Sequence, residues 1–159
     1  MRKVIISIGI QGSGKSTFLK PFAEHNNYVY LSPDAIRQEL LGNPYDQSKN
    51  AEVWDELRNR ITKLMQEGVD IVVDSTFTNF EQRIAFISFL RKSGVAEIQG
   101  IFFDTPLEIA RKRTLMRERQ LRIDAIDEKA AEIKNSPPNI LDGFDTFYTI
   151  DEFQKIHGA

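Results

Sequence analysis

Nine residues near the start of the chain restrict its fold more than any others: Gly9-Ile10-Gln11-Gly12-Ser13-Gly14-Lys15-Ser16-Thr17. They complete the pattern G-x-x-x-x-G-K-[ST], directly after an apolar run that reads as a strand and at the opening of a helical pattern. Each part has a chemical reason. The glycines let the backbone turn tightly, so successive N–H groups aim inward at phosphate oxygens. The helix that follows adds the partial positive charge of its N-terminus. Lys15 can reach the β- and γ-phosphates of a nucleotide, and the Ser16 hydroxyl can ligate Mg²⁺. Gly12, Ser13, Gly14, Lys15, Ser16 and Thr17 are therefore the expected nucleotide-binding residues, with Lys15 also catalytic.

The rest of the chain alternates β-rich runs with helical patterns. Candidate strands are Lys3–Ile8, Tyr28–Leu31, Asp70–Val73, Ile98–Phe103 and Thr146–Ile150. Ser32-Pro33 places a cap before a proline at the first helical position. Thr105-Pro106-Leu107-Glu108 and Thr78-Asn79-Phe80-Glu81 read as capping boxes, and Asp124 as a cap for a helix running towards Lys134. Val53, Leu57, Ile61, Leu64 and Met65 recur at spacings of three and four, one buried helical face closed by Gly68. Strands alternating with helices imply parallel pairing through right-handed crossovers. The expected fold is α/β: a three-layer P-loop NTPase of adenylate-kinase-like form, with a parallel sheet of four to five strands. No Pro/Gly/Ser linker interrupts residues 1–159, so one domain is expected, with a lid over about 106–135.

Composition narrows the chemistry. There is no Cys, which excludes a disulfide framework, a Cys-ligated metal site and a thiol nucleophile, and the two His are isolated. Apolar runs are far too short to span a bilayer, and the N-terminus lacks a cleavage site, so a cytoplasmic protein is expected. The net charge of −2 argues against a protein that coats duplex DNA. That charge is unevenly spread: residues 111–122 hold six basic groups and one acidic one, the remainder 15 basic and 22 acidic. So focused a field suits the gripping of a triphosphate and one strand end.

Several residues are candidates for the acceptor side and the lid. Asp34 lies in the first turn after the second strand, where a carboxylate can take the proton of an attacking hydroxyl. Arg37, one turn on, can hold an acceptor phosphate. A helix-dipole complement and a surface ion pair would place the same residues there. Asp74 ends the apolar run Ile71-Val72-Val73, a position from which a carboxylate holds Mg²⁺; a turn-forming Asp is the alternative. Ser75 and Thr76 beside it could orient acceptor or water. Arg113 and Arg117, at i and i+4, put two guanidiniums on one helical face, able to neutralise charge on a phosphoryl group in flight. Phe77, Phe80, Tyr45 and Trp54 could stack on a base, though core packing is the commoner fate of such rings. Without an N-K-x-D or an L-S-G-G-Q segment, a phosphotransferase is what remains.

Taken together, Gly9–Thr17, Asp34-x-x-Arg37, Asp74-Ser75-Thr76 with Arg83, and Asp104-x-Pro106 leading to Arg113 and Arg117 resemble the P-loop polynucleotide 5′-hydroxyl kinases. The resemblance runs from about residue 3 to 135. It implies ATP as donor, Mg²⁺ as cofactor and a single-stranded or end-exposed polynucleotide as acceptor. Asp34 would be the general base, Arg37 and Thr76 acceptor contacts, Ser16 and Asp74 metal ligands, Asp74 also an acceptor-side residue, and Arg113 and Arg117 the lid. Phe77 stands where that family usually has Asn, and the carboxylate is at 74 rather than 75. A phosphatase motif is missing, so 3′-end chemistry or sealing would need a separate phosphatase or ligase. A small-molecule kinase and a nucleotide-binding module that transfers nothing are the alternatives.

Overall fold

β1 (Lys3–Ile8) presents no solvent face after its first residue: Val4, Ile5, Ile6, Ser7 and Ile8 are each 0 % exposed. A strand buried on both sides belongs in the middle of a parallel sheet whose two faces are covered by helices. The computed structural model describes residues 2–117 and 123–157, with side chains for 2–115 and 125–157, and places β1 there. It pairs with β3 (Asp70–Val73) on one side and β4 (Glu97–Phe102) on the other. β2 (Tyr28–Leu31) lies outside β3, and β5 (Thr146–Thr149) outside β4. The five strands run in the order β2-β3-β1-β4-β5, every pair parallel. β4 sits one residue earlier than the sequence pattern suggests. β5 stops at Thr149 because Ile150 opens a helix.

Helices cover both faces. Against Ile5, Val72 and Ile101 lie Leu19 and Ala23 of α1 (Lys15–His25) and Phe153 of α7 (Ile150–His157). Against Val4, Ile6, Ile8 and Val73 lie Ile36 of α2 (Pro33–Leu41), α3 (Asn50–Glu67) and α4 (Phe80–Lys92). α3 buries Val53, Leu57, Ile61 and Met65, as its periodicity predicts, and ends at Gly68 with φ 75°. Each such side chain contributes about 1.5–3 kcal/mol by leaving water.

Two of the predicted caps are displaced by long-range partners. Ser32 does cap α2, accepting from Ala35 N. For α4, however, the cap is Asn79, because the Thr78 hydroxyl donates instead to Glu132 Oε1 at 2.8 Å. α5 (Leu107–Arg117) begins after Pro106, and Thr105 Oγ1 donates to the Ser13 carbonyl at 2.9 Å rather than closing a capping box. The Asp124 side chain lies outside the described residues; α6 (Ile123–Asn135) already includes that position. α5 and α6 share a small apolar core of Ala110 and Ile126 with Ile10, while Ile109 and Leu115 face water. This interior is much smaller than those beneath the other helices.

One buried ion pair fastens the segment after β3. Arg83 of α4 is wholly enclosed and donates through Nε to Asp142 Oδ2 at 2.8 Å. Its Nη1 reaches the carbonyls of Phe77 and Thr78, and its Nη2 that of Ser136. Phe77, held at φ 43°, is a non-glycine residue in the left-handed region. Its ring packs with Trp54 and Phe86 at centroid distances of 5.7 and 4.9 Å, so it belongs to the core. Arg83→Met would leave Asp142 charged and enclosed without its cation, keeping only the Asn139 N–H, and is expected to cost about 3–5 kcal/mol. Urea denaturation followed by circular dichroism measures this; an unchanged midpoint would contradict it.

Candidate active site

Because every strand is parallel, the loops after β1, β2, β3 and β4 gather at one edge of the sheet. β1 is where the strand order reverses, so the crevice at its carboxyl end is the natural ligand site. The loop after β1 is held by its neighbours' backbone: Gly9 N donates to Thr76 O at 3.0 Å, and Phe103 N to Ile8 O at 2.7 Å. Gly12 and Gly14 adopt φ 79° and 90°, conformations that favour glycine. Gly12 also lacks room for a side chain, since a Cβ there would lie 2.4 Å from the Ala110 carbonyl of α5. Lys15 is folded beneath the loop, its Nζ donating to the carbonyls of Gly9 and Ile10 at 2.9 Å each. Ser13 Oγ and Gln11 Oε1 are buried with no hydrogen-bond partner. Enclosed polar atoms left unpaired are rare in folded proteins. A phosphate in the loop would give the Ser13 hydroxyl an acceptor, so the loop fits a nucleotide.

Asp74 is the hub of the crevice. Its Oδ2 accepts from Ser16 Oγ at 2.7 Å and from the Tyr30 hydroxyl. Its backbone N–H extends the β2–β3 ladder by donating to Leu31 O. Burial, and then the Asp74 carboxylate, hold the Tyr30 phenol above its usual pKa, which keeps it a donor. The described residues contain no cluster of three or more His, Cys, Asp or Glu side chains. Magnesium needs no such cage: one carboxylate with substrate phosphates is its common setting, and the oxygen pair Ser16–Asp74 suits it.

Asp34 and Arg37 stand on α2 across the crevice. Arg37 Nη1 donates to Asp34 Oδ1 at 2.6 Å, while its Nε and Nη2 donate to Asn50 Oδ1 at 3.2 and 3.0 Å. The Arg37 side chain is 8 % exposed and that of Asp34 66 %. The pair is thus a pinned guanidinium beneath an open carboxylate, rather than a loose surface ion pair. Packed protein around Asp34 raises its pKa, the Arg37 charge opposes that, and the charges of Asp74 and Lys15 also reach it. Arg113, otherwise exposed, donates from Nη1 to the Gly12 carbonyl at 3.1 Å, placing one lid guanidinium on the phosphate loop. The Arg117 side chain lies outside the described residues. Thr76 is half-buried and contributes its carbonyl to Gly9.

Four residues with a place in this site escape sequence reasoning: Tyr30, Asn50, Thr105 and Glu132. Each acts through a contact between different elements, beyond the reach of local patterning. Tyr30 carries the faintest trace, a polar tip at the carboxyl end of an otherwise apolar strand.

The AAA domain family model matches residues 4–136. Over 110 residues the chain is 26 % identical to a protein of Acanthamoeba polyphaga mimivirus named as a bifunctional polynucleotide phosphatase/kinase, covering 69 % of this chain and 23 % of that one. A chain in a structure of the Pnkp1/Rnl/Hen1 RNA repair complex superposes with a TM-score of 0.75 at 23 % identity, covering 84 % of this chain and 44 % of the other. A Chloroflexus aurantiacus protein described as a kinase gives 0.73 at 21 % identity, covering 93 % and 84 %. The chain therefore spans about a quarter of the mimivirus relative and under half of the repair-complex chain.

Gly12→Ala is expected to weaken ATP binding at least about tenfold, since both the φ value and the approach of Ala110 exclude a Cβ, a clash worth more than 1.4 kcal/mol. Calorimetric titration of the variant provides the measurement; wild-type affinity would show that the loop tolerates a side chain.

Proposed function

The chain belongs to the AAA domain family of P-loop kinases, and from that premise we propose that it transfers the γ-phosphate of ATP to the 5′-hydroxyl end of a polynucleotide. The observation that carries the proposal is the Asp34–Arg37 pair, set at the carboxyl end of β2 within electrostatic reach of Lys15 and Asp74. In this mechanism the acceptor hydroxyl loses its proton to Asp34 as its oxygen bonds to the γ-phosphorus. The bond from that phosphorus to the β–γ bridging oxygen breaks, and ADP leaves. Lys15 leaves the Gly9 and Ile10 carbonyls for the phosphate oxygens. Arg113 offsets charge on the phosphoryl group in flight, and by its i+4 spacing Arg117 is assigned the same role. Mg²⁺ held by Ser16 and Asp74 would supply further neutralisation of the phosphates. Arg37 holds an acceptor phosphate, with Asn50 setting its orientation, and Thr76 lies on the acceptor side. The mimivirus relative's name and the repair-complex likeness support this acceptor class, and a separate ligase or phosphatase as partner.

A small-molecule hydroxyl is the second reading, favoured by one observation. Arg37 is almost enclosed and its fork is already engaged by Asp34 and Asn50, which leaves little guanidinium for a backbone phosphate. Incubation with γ-labelled ATP and a 5′-hydroxyl oligonucleotide decides between them. Label should appear at the 5′ end. A reaction confined to nucleosides or sugars would overturn the polynucleotide reading.

Asp34→Asn is expected to lower kcat by about 10²–10⁴-fold with ATP binding retained. Arg37→Ala should raise the oligonucleotide KM and spare that for ATP. The pH profile carries a further sign. A base works only when deprotonated, so activity falls as pH drops through the Asp34 pKa. The protein packed around the base of Asp34 raises its pKa against the opposing Arg37 charge, so that limb lies on the high side of where a free Asp would put it. Removing the opposing Arg37 charge should move the acid limb of kcat/KM to still higher pH in Arg37→Ala; a limb shifted downward would contradict the assignment.

A further inference from the structure

Glu132 lies near the end of α6, and its carboxylate grips the segment that follows β3 with both oxygens. Thr78 Oγ1 donates to Oε1 at 2.8 Å and Asn79 Nδ2 to Oε2 at 3.1 Å. Both donors are neutral, and no ion pair of Glu132 occurs among the described residues. A half-buried carboxylate held this way is a costly fastening, since an apolar contact would secure the helix without removing charge from water. The segment it grips continues the one bearing Asp74, Ser75 and Thr76.

The other end of the same lid touches the phosphate loop. Arg113 donates to the Gly12 carbonyl, and the Ala110 carbonyl lies so close to Gly12 that no Cβ fits between them. Ala110 packs with Ile126 of α6 and with Ile10 of the loop itself, and Ala130 and Ile133 extend that contact to the neighbours of Glu132. A continuous packed path therefore joins the phosphate loop to Thr78 through α5, α6 and the Glu132 carboxylate. Phe77, next to Thr78, meets the indole of Trp54, the sole tryptophan in the chain.

We propose that Glu132 is a positioning residue that sets the acceptor-side segment 74–79 according to the state of the lid, so that nucleotide bound at the phosphate loop orders the segment the acceptor will meet. Asp34 and Lys15 act on the reacting groups; Glu132 acts through Thr78 and Asn79. Arg83 holds the carbonyls of Phe77 and Thr78 and that of Ser136, just past α6, so the backbone of the segment is fixed where the Glu132 carboxylate meets its side chains. The proposal rests on the acceptor-side reading of residues 74–79, and its primary test uses no acceptor.

Trp54, in ring contact with Phe77 and Phe86, is the emission probe placed against the segment. In the wild-type protein, Mg·ATP is expected to change that emission. Glu132→Ala should reduce the amplitude at least about fivefold, the lower end of ordinary coupling between sites, while ATP affinity stays within about twofold. Thr78→Val removes the same bond from the other side, without touching the lid, and should reproduce the effect. Glu132→Gln keeps an acceptor for Thr78 and should recover part of the response. In turnover with a 5′-hydroxyl oligonucleotide, Glu132→Ala should raise the acceptor KM at least about fivefold and leave the ATP KM within about twofold. An unlabelled oligonucleotide defeats the proposed function and leaves the emission arm to be judged alone. No emission change in the wild type would overturn the proposal, as would a full response in Glu132→Ala or Thr78→Val. Loss of ATP affinity in step with the emission would overturn it too, because that marks general support of the lid.

Discussion

The structure depends on the burial of β1. With helices on both faces and a parallel neighbour on each edge, the strand has no freedom to shift, and its carboxyl end emerges at one defined point. The loop that follows must turn back into α1 in a few residues, with its N–H groups aimed inward. Its stability then comes from surrounding elements. Thr76 and Ile8 carbonyls take backbone donors on either side, Thr105 donates to Ser13, and Lys15 occupies the carbonyls beneath. Glycine at 12 lets α5 lie directly against the loop. The backbone of α5 thus lies directly against the backbone of the loop.

The same crowding organises the carboxylates. Asp74 directly follows β3 and Asp34 lies in the first turn of α2, just after β2, but their surroundings differ. Asp74 is enclosed and takes hydrogen bonds from Ser16 and Tyr30, which holds its oxygens in place and suits the fixed geometry of a metal ligand. Asp34 is open towards solvent above a buried guanidinium, which suits a group that must meet an incoming hydroxyl and exchange a proton. The contrast does not follow from the residue type. It follows from how many donors the fold places around each carboxylate, and from whether its far side is open.

Legibility in the sequence divided along the distance of the interaction. The strands at Lys3–Ile8, Tyr28–Leu31 and Asp70–Val73, the buried stripe of α3 and its stop at Gly68 are read from neighbours a few residues apart. So is the phosphate loop, whose whole chemistry lies within nine consecutive positions. The capping boxes at Thr78 and Thr105 were equally local readings, and there locality failed. A hydroxyl can bond only where its best acceptor is, and for these two the acceptors were Glu132 and the Ser13 carbonyl, 54 and 92 residues away in the chain. Arg83 shows the same effect in stronger form. Grouped by sequence with the acceptor motif, it is instead an enclosed clamp whose partners, Asp142 and Ser136, lie beyond the lid.

By itself the sequence determined the fold class, the presence of the G-x-x-x-x-G-K-[ST] motif and the family, because these depend on periodicity and on a contiguous motif. Only the tertiary structure decided which carboxylate is tethered and which is open, that Arg37 is pinned by Asn50, and that Phe77 belongs to the core. It also brought the Glu132 carboxylate of α6 onto Thr78 and Asn79, after β3. The physical reason is that burial, desolvation and hydrogen-bond competition are properties of a residue's surroundings, and those are assembled from parts of the chain that carry no mark of one another until it folds.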